Sequence, residues 1–215
     1  MAKISGSDEV PGKDDKNQSK VPAEMVKKLR ERTGLGWMDC KRALTEADGD
    51  LAKAEELLRK EGLKAADLRS GRATREGRIG HYVHSNGKIG VLVELNCETD
   101  FAAKSPDFEK LLKELCMQIA AQRPIYVSAE NVPADLVRKE KEILTAQIKD
   151  KPAAMIEKIA EGKIKDFYKN ICLMDQPFIK EPAHTVRDLV ASANAKLGEN
   201  IVVRRFVRFE VGGEI

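Results

Sequence analysis

The feature that most constrains the fold is a change of hydrophobic period near residue 77. Before it, apolar residues recur every three or four positions, as on one face of a helix. After it, Ile79, His81 and Val83 alternate with Gly80, Tyr82 and His84, and Ile89, Val91, Val93, Leu95 and Cys97 resume the alternation. Between the two runs stands Asn86-Gly87, the dipeptide whose tolerance of positive φ most favours a tight reversal. A period of two on both sides of such a turn specifies a β-hairpin with one packed face. Helices followed by a hairpin, with helices again beyond it, point to an α+β chain.

The helical part begins at Pro22, which suits the first turn of a helix, with Glu24 favoured there by the helix dipole. Met25, Val26, Leu29 and Arg32 share a face, and Thr33-Gly34-Leu35-Gly36 stops the helix. A second helix is expected from Trp37 to about Ala47, and Asp50 caps a third that carries Leu51, Ala54, Leu57 and Leu58 before Gly62. Three helices over residues 21–62 make a small bundle resembling ubiquitin-associated domains, a shape that usually binds partners through the loop between its first two helices. Residues 63–76 read as a helix extension fading into a linker, and residues 77–215 as the α+β core. The polar residues 1–20 mix both charges, with neither the apolar stretch of a signal peptide nor the Arg-rich character of a transit peptide, and are expected to be a disordered tail.

Beyond the hairpin, Ser105-Pro106 offers a cap and first position for a helix whose apolar face is Phe108, Leu111, Leu112, Leu115, Cys116 and Ile119. Weaker helices are expected at 134–149, 152–160 and 164–169, and Thr185 with Asp188 resembles a capping box for a helix through Lys196. In the closing run IVVRRFVRFEV, the positions Ile201, Val203, Val207, Phe209 and Val211 are expected to face the core. Arg204, Phe206, Arg208 and Glu210 would form the other face, with Arg205 at the rim. This strand completes a three-stranded antiparallel sheet packed by helices.

Chemistry is poorly supplied. There are only three histidines, His81, His84 and His184, and His81 and His84 differ in strand parity, so they point to opposite faces and cannot both bind one metal from a single strand. No glycine belongs to a phosphate-binding loop, and there is no nucleophile elbow or metal-ligand spacing, so no catalytic residue, cofactor or metal site is expected. Cys40, Cys97, Cys116 and Cys172 are widely spaced within apolar patterns and read as reduced, buried thiols. A net charge of +3 argues against nucleic acid as the default partner, and no apolar run is long enough to span a bilayer, so the expected location is the cytoplasm.

The segment 96–104 fits a purely structural role least well. A strand rich in Val and Leu ends, and Glu98, Thr99 and Asp100 lead to a lone Phe101 before the helix cap. Spacing leaves two placements open for that ring. It could tuck into its own core, or it could stand out as an apolar wedge, the kind of aromatic anchor that dominates interface energetics at about 2 kcal/mol or more.

These residues carry a resemblance. VKKLRERTGLGWMDCKRALTEADGDLAKAEELLRKEG is similar to the amino-terminal domain of the elongation factor Ts family, and ELNCETDFAAK to that family's Thr-Asp-Phe motif. YVHSNGKIGVLVELN, EGKIKDFYKNICLMDQPF and LGENIVVRRFVRFEVG resemble it as well, so the similarity runs over residues 21–213. The resemblance implies a non-enzymatic factor that binds elongation factor Tu in its GDP-bound and nucleotide-free states and speeds nucleotide release.

By the same resemblance, Arg30, Trp37 and Met38 match positions that meet the GTPase domain near its nucleotide site. Thr99, Asp100 and Phe101 match the motif whose ring inserts between helices of that domain and disturbs its Mg2+ site. His84 matches a histidine that contacts a middle domain of the partner, and Leu197 and Gly198 lie in a segment near it. The chain departs from the family pattern at Trp37-Met38, where many members carry Met-Met, and at Ala102, where Val is common. It resembles the short form with a single core module, which implies a homodimer, noncovalent at Val207 where some short members have a cysteine. Two rival readings are an interaction scaffold without exchange activity and an RNA-binding factor using Arg204, Arg205 and Arg208.

Overall fold

The structure, a computed structural model, describes residues 21–147 and 153–213. The expected tail, the end of the 134–149 helix and the start of the 152–160 helix lie outside the described residues. The chain forms two compact units that divide between Leu58 and Arg59.

The first unit holds α1 (Ala23–Thr33), α2 (Trp37–Glu46) and the opening turns of α3 (Leu51–Arg69). Gly34 takes the left-handed conformation that closes α1, with its N–H on the Arg30 carbonyl at 2.7 Å. Asp50 Oδ1 accepts the amides of Ala52 and Lys53 at 2.9 and 3.1 Å, the cap expected for α3. Val26, Leu29, Cys40, Ala43, Leu44, Ala47, Ala54 and Leu58 form the core. Burying a leucine side chain in such a core contributes about 1.5–3 kcal/mol, and this unit holds only three at that depth.

In the second unit, α3 continues through Gly62 to Arg69, as the helix extension read beyond Gly62 suggests. Gly62 is buried, and a β-carbon placed there would rest 3.6 Å from the Ala195 side chain. Close approach of two helices at small residues, together with an Arg59 Nη1 to Asp188 contact at 3.3 Å, holds α3 against α8 (Val186–Leu197) and carries it on to Arg69.

The sheet is β1 (Glu76–Val83), β2 (Ile89–Cys97) and β5 (Val202–Glu210), in the order β1-β2-β5 with both pairings antiparallel. The hairpin turn is longer than the two residues that Asn-Gly suggests. His84 still donates its N–H to the Ile89 carbonyl at 2.9 Å, and only Gly87 has positive φ, so the two successive positive φ values of the tight form are not met. One sheet face packs under α5 (Pro106–Gln122), capped as expected by Ser105 Oγ on the Phe108 amide at 3.2 Å. Val91, Val93, Leu95, Phe108, Leu111, Leu115, Ile119 and Val203 make its core, and α8 closes it with Val186 and Val190.

The packed side of β1 is Gly80 and Tyr82, while Ile79 and Val83 face outward. The last strand also departs from expectation. Leu95 pairs with Val203 but Glu94 pairs with Arg205, leaving Arg204 as an extra residue in β5. That bulge reverses the facing of everything after it. Phe206 and Arg208 therefore turn inward, and Val207, Phe209 and Val211, expected in the core, are exposed. Arg208 reaches under α5, donating from Nε to the Ala120 carbonyl at 3.3 Å and from Nη1 to Glu210 at 2.8 Å.

The remaining elements are α4 (Asp100–Ala103), α6 (Ala134–Gln147), α7 (Ala153–Ile171), and the strands β3 (Pro177–Phe178) and β4 (Glu181–Thr185), which pair antiparallel. Neither α4 nor the β3–β4 ribbon is expected from the sequence. The two short helices expected at 152–160 and 164–169 are one helix, which runs through Gly162 because a single glycine costs only about 1 kcal/mol there. Thr185 and Asp188 form the expected capping box of α8.

Candidate functional site

The corner between β2 and α5 is built by short-range hydrogen bonds. β2 makes its last pairing at Cys97, opposite Glu76. Thr99 then turns extended and caps α4, its Oγ1 accepting the Ala102 amide at 3.2 Å. Ala102 and Ala103 face the core, so the helical turn necessarily swings Phe101 the other way. Its side chain is 82% exposed, and of the two placements that spacing allows, the structure has the outward one. Seven residues later Phe108 is wholly buried.

Asp100, beside the ring, receives the Lys104 ammonium on Oδ2 at 2.7 Å, and that hydrogen bond holds its carboxyl below the usual carboxylate range. The pair is fully solvated and adds little to stability. It places a charged pair beside the apolar ring.

A second segment meets the corner. Gly198 ends α8 in the left-handed conformation, with φ of 72°, and the next residue, Glu199, points back at the strand end. Glu199 Oε2 accepts the Glu98 and Thr99 amides, each at 3.1 Å, and Oε1 accepts the Thr99 hydroxyl at 2.5 Å. In return Glu98 Oε1 accepts the Asn200 amide at 2.7 Å and lies 3.4 Å from Arg72 Nη1. Sequence reasoning named Glu98 only as part of a polar run and did not single out Glu199 or Asn200. A usable signal was there: two acidic residues, each placed where a regular element ends and backbone amides need acceptors.

Thr99, Asp100, Phe101, Leu197 and Gly198 are thus brought into one neighbourhood, with Leu197 half-buried against the core and Gly198 exposed. His84 is not part of it. It follows the far end of β1, eight residues along from Glu76 and so about 26 Å away at the rise of a strand, where its Nδ1 lies 2.9 Å from the Tyr82 hydroxyl. In the first unit, Trp37 and Met38 form the exposed opening turn of α2, Met38 at 70%, and Arg30 is exposed in the last turn of α1.

All four cysteines are buried and unpaired, and burial pushes the thiols of Cys97, Cys116 and Cys172 up to about 11. Such thiols are poor nucleophiles at neutral pH. Among the described residues no group of three or more His, Cys, Asp or Glu is arranged to hold a metal ion, and no helix is long and apolar enough to cross a membrane.

Residues 41–214 match the family model described as elongation factor TS. The chain is 56% identical over 196 residues to elongation factor Ts of Anaeromyxobacter sp. (strain Fw109-5), covering 90% of each chain. It is 54% identical over 194 residues to elongation factor Ts of Carboxydothermus hydrogenoformans, covering 89% of each. With elongation factor Ts of Acetivibrio thermocellus the identity is 56% over 194 residues, 89% of this chain and 90% of the relative.

Proposed function

The chain belongs to the elongation factor Ts family, and so to the factors of translation elongation, and on that premise we propose that it is the guanine-nucleotide exchange factor of elongation factor Tu. It binds the GDP-bound partner, expels GDP by inserting Phe101 near the Mg2+ and phosphate site, and holds the nucleotide-free state until GTP enters. The observation that carries this reading is the 82% exposure of Phe101 at a corner where the amides of Glu98, Thr99 and Ala102 are all held by side-chain acceptors.

The mechanism follows from linkage. If factor and nucleotide each bind the GTPase better alone than together, each weakens the other by the same factor. The nucleotide depends on Mg2+, whose octahedral oxygen shell tolerates little displacement. An apolar ring pressed between supporting helices shifts that shell, and the factor's own contacts offset the cost. Those contacts come from Arg30, Trp37 and Met38 in a ubiquitin-associated-like helical domain, and from His84, Thr99, Asp100, Leu197 and Gly198 in the α+β core. The factor needs no catalytic residue of its own and works in the cytoplasm.

A second copy completes the functional unit. The outer sheet face presents Ile79, Val83, Leu92, Val207, Phe209 and Val211 to solvent, an apolar surface suited to a noncovalent, two-fold homodimer. The RNA reading is less well supported, because Arg205 is engaged by Glu94 at 2.6 Å and Arg208 by Ala120 and Glu210. A scaffold without exchange activity leaves the exposed Phe101 unexplained.

Release of fluorescent GDP from elongation factor Tu tests the proposal. Phe101→Ala should keep most of the binding and an unchanged melting temperature, yet lower the maximal release rate roughly thirtyfold, the equivalent of about 2 kcal/mol. Undiminished release by the variant would reject the wedge.

A further inference from the structure

An exposed ring is not aimed by its own surroundings. The Phe101 side chain has no core to rest in, so its direction is set by the backbone of the corner that carries it. That backbone is short of partners. The amides of Glu98 and Thr99 follow the last sheet pairing at Cys97 and precede the first turn of α4, so neither the ladder nor the helix can satisfy them.

One side chain takes both. The Glu199 carboxylate gathers the two amides on Oε2 and the Thr99 hydroxyl on Oε1. Because that hydroxyl also accepts the Ala102 amide, the chain of bonds runs from Glu199 through Thr99 into α4, and Phe101 sits between the last two links. The arrangement is reciprocal, since Glu98 accepts the Asn200 amide directly after Glu199. Asn200 is itself buried and fixed, its Nδ2 donating to the Arg72 carbonyl at 3.0 Å and the Ser70 carbonyl at 3.4 Å. The Asn194 side chain holds the next amide, that of Ile201, at 3.1 Å. The left-handed Gly198 is what turns the chain so that Glu199 can reach back.

We propose that Glu199 is a positioning residue for nucleotide release: its carboxylate, locked on Thr99, aims Phe101 and holds the ring rigid as it enters the partner. The proposal deepens the exchange reading and rests on it. A carboxylate suits the place because three donors converge on it, which its two oxygens can accept together as charge-assisted bonds. A glutamine keeps one oxygen for the two amides and can donate to the Thr99 oxygen if the hydroxyl rotates, so it preserves most of the lock. An alanine removes all three bonds and leaves the amides to water. A wedge on a slack corner still docks but loses the ordering already built into the rigid one, so the effect falls on the maximal release rate more than on binding.

The test uses the full chain with Glu199→Ala, Glu199→Gln and Phe101→Ala, singly and combined. In the free protein, Glu199→Ala should speed hydrogen exchange of the Glu98, Thr99 and Ala102 amides at least tenfold while the amides of Leu115 and Ile119 in α5 stay unchanged. Glu199→Gln should stay within about threefold of the parent. With fluorescent GDP on elongation factor Tu, Glu199→Ala should lower the maximal release rate about tenfold, move the half-saturating concentration less than threefold, and add nothing in the Phe101→Ala background. Unchanged exchange at Thr99 and Ala102 would overturn the lock even if Phe101→Ala behaves as a wedge should. Additive losses in the double variant, or equal damage from Gln and Ala with a lowered melting temperature, would reduce Glu199 to a structural brace and overturn the proposal. If Phe101→Ala leaves release intact, the exchange reading falls and the aiming role falls with it, whatever the amides report.

Discussion

The two sides of the three-stranded sheet carry much the same kind of residue and meet opposite surroundings. On one side Val91, Val93 and Leu95 lie under α5 with nothing left exposed. On the other, Val83 is 64% and Phe209 68% exposed, with Ile79, Leu92 and Val207 between them. Residue type does not separate the two sets. Register does: β-branched and aromatic residues favour strands on either face, and only pairing parity decides which face a helix covers. The covered side buries its apolar area in folding, and the bare side leaves its area open to solvent.

The largest effect that would separate the sides is expected at Phe108, the biggest fully buried side chain of the covered side. Phe108→Ala should lose about 3–5 kcal/mol of unfolding free energy in urea titrations, a large part of what a domain of this size has. A loss below about 1 kcal/mol would mean that α5 is not seated on the sheet.

Two glycines allow the same change to be made on each side. A β-carbon at Gly80 would stand 2.4 Å from Leu112 Cγ, whereas at Gly90, on the bare side opposite Val83 and Phe209, it would meet nothing within 4 Å. Gly80→Ala should therefore cost about 1–3 kcal/mol through overpacking. Gly90→Ala should be neutral or gain up to about 1 kcal/mol, because glycine gives up the most backbone freedom in a strand. Similar values for both would erase the distinction between the sides.

How much of this was readable in the sequence follows the same division. Local signals sufficed where they act locally: the caps at Asp50, Ser105 and Thr185, the apolar face of α5, and the alternation of β2. The facing of β5 was not readable, because one unpaired residue, Arg204, reverses it and depends on how β2 pairs with β5. The helix extension past Gly62 was readable, but the packing of that glycine against Ala195 was not, because it depends on a contact distant along the chain. At the candidate site, Thr99 to Phe101 stood out as polar residues and a lone aromatic at a strand end. Glu199 did not, because its meaning comes from a contact a hundred residues away along the chain.

A smaller effect on stability, though a decisive one for assembly, is expected from a charge on the bare side. Leu92 lies in the central strand opposite His81 and Val207. Leu92→Glu should change the unfolding free energy of the dilute chain by less than about 0.5 kcal/mol, because the side chain is already half open to water. In sedimentation at micromolar concentration the parent should run as a dimer and the variant as a monomer, since a buried carboxylate without a partner is costly at an interface. A parent that sediments as a monomer would remove the reason for an apolar outer face.

The smallest effect concerns thiols on the covered side. Cys97 and Cys116 are held neutral by burial, with values raised from 9.0 to about 11. For a group whose folded value lies above its unfolded one, the folded chain holds protons more tightly, so the stabilisation is complete below pH 9.0 and is lost as pH rises towards about 11. Urea midpoints should fall across that window. Lysines and tyrosines titrate there too, so the useful comparison is the slope of midpoint against pH in Cys116→Ala and in the parent. The variant begins less stable for lack of the sulfur, yet its slope should be shallower. Equal slopes would mean that water reaches Cys116 and that the covered side is less tightly closed than the bare side is open.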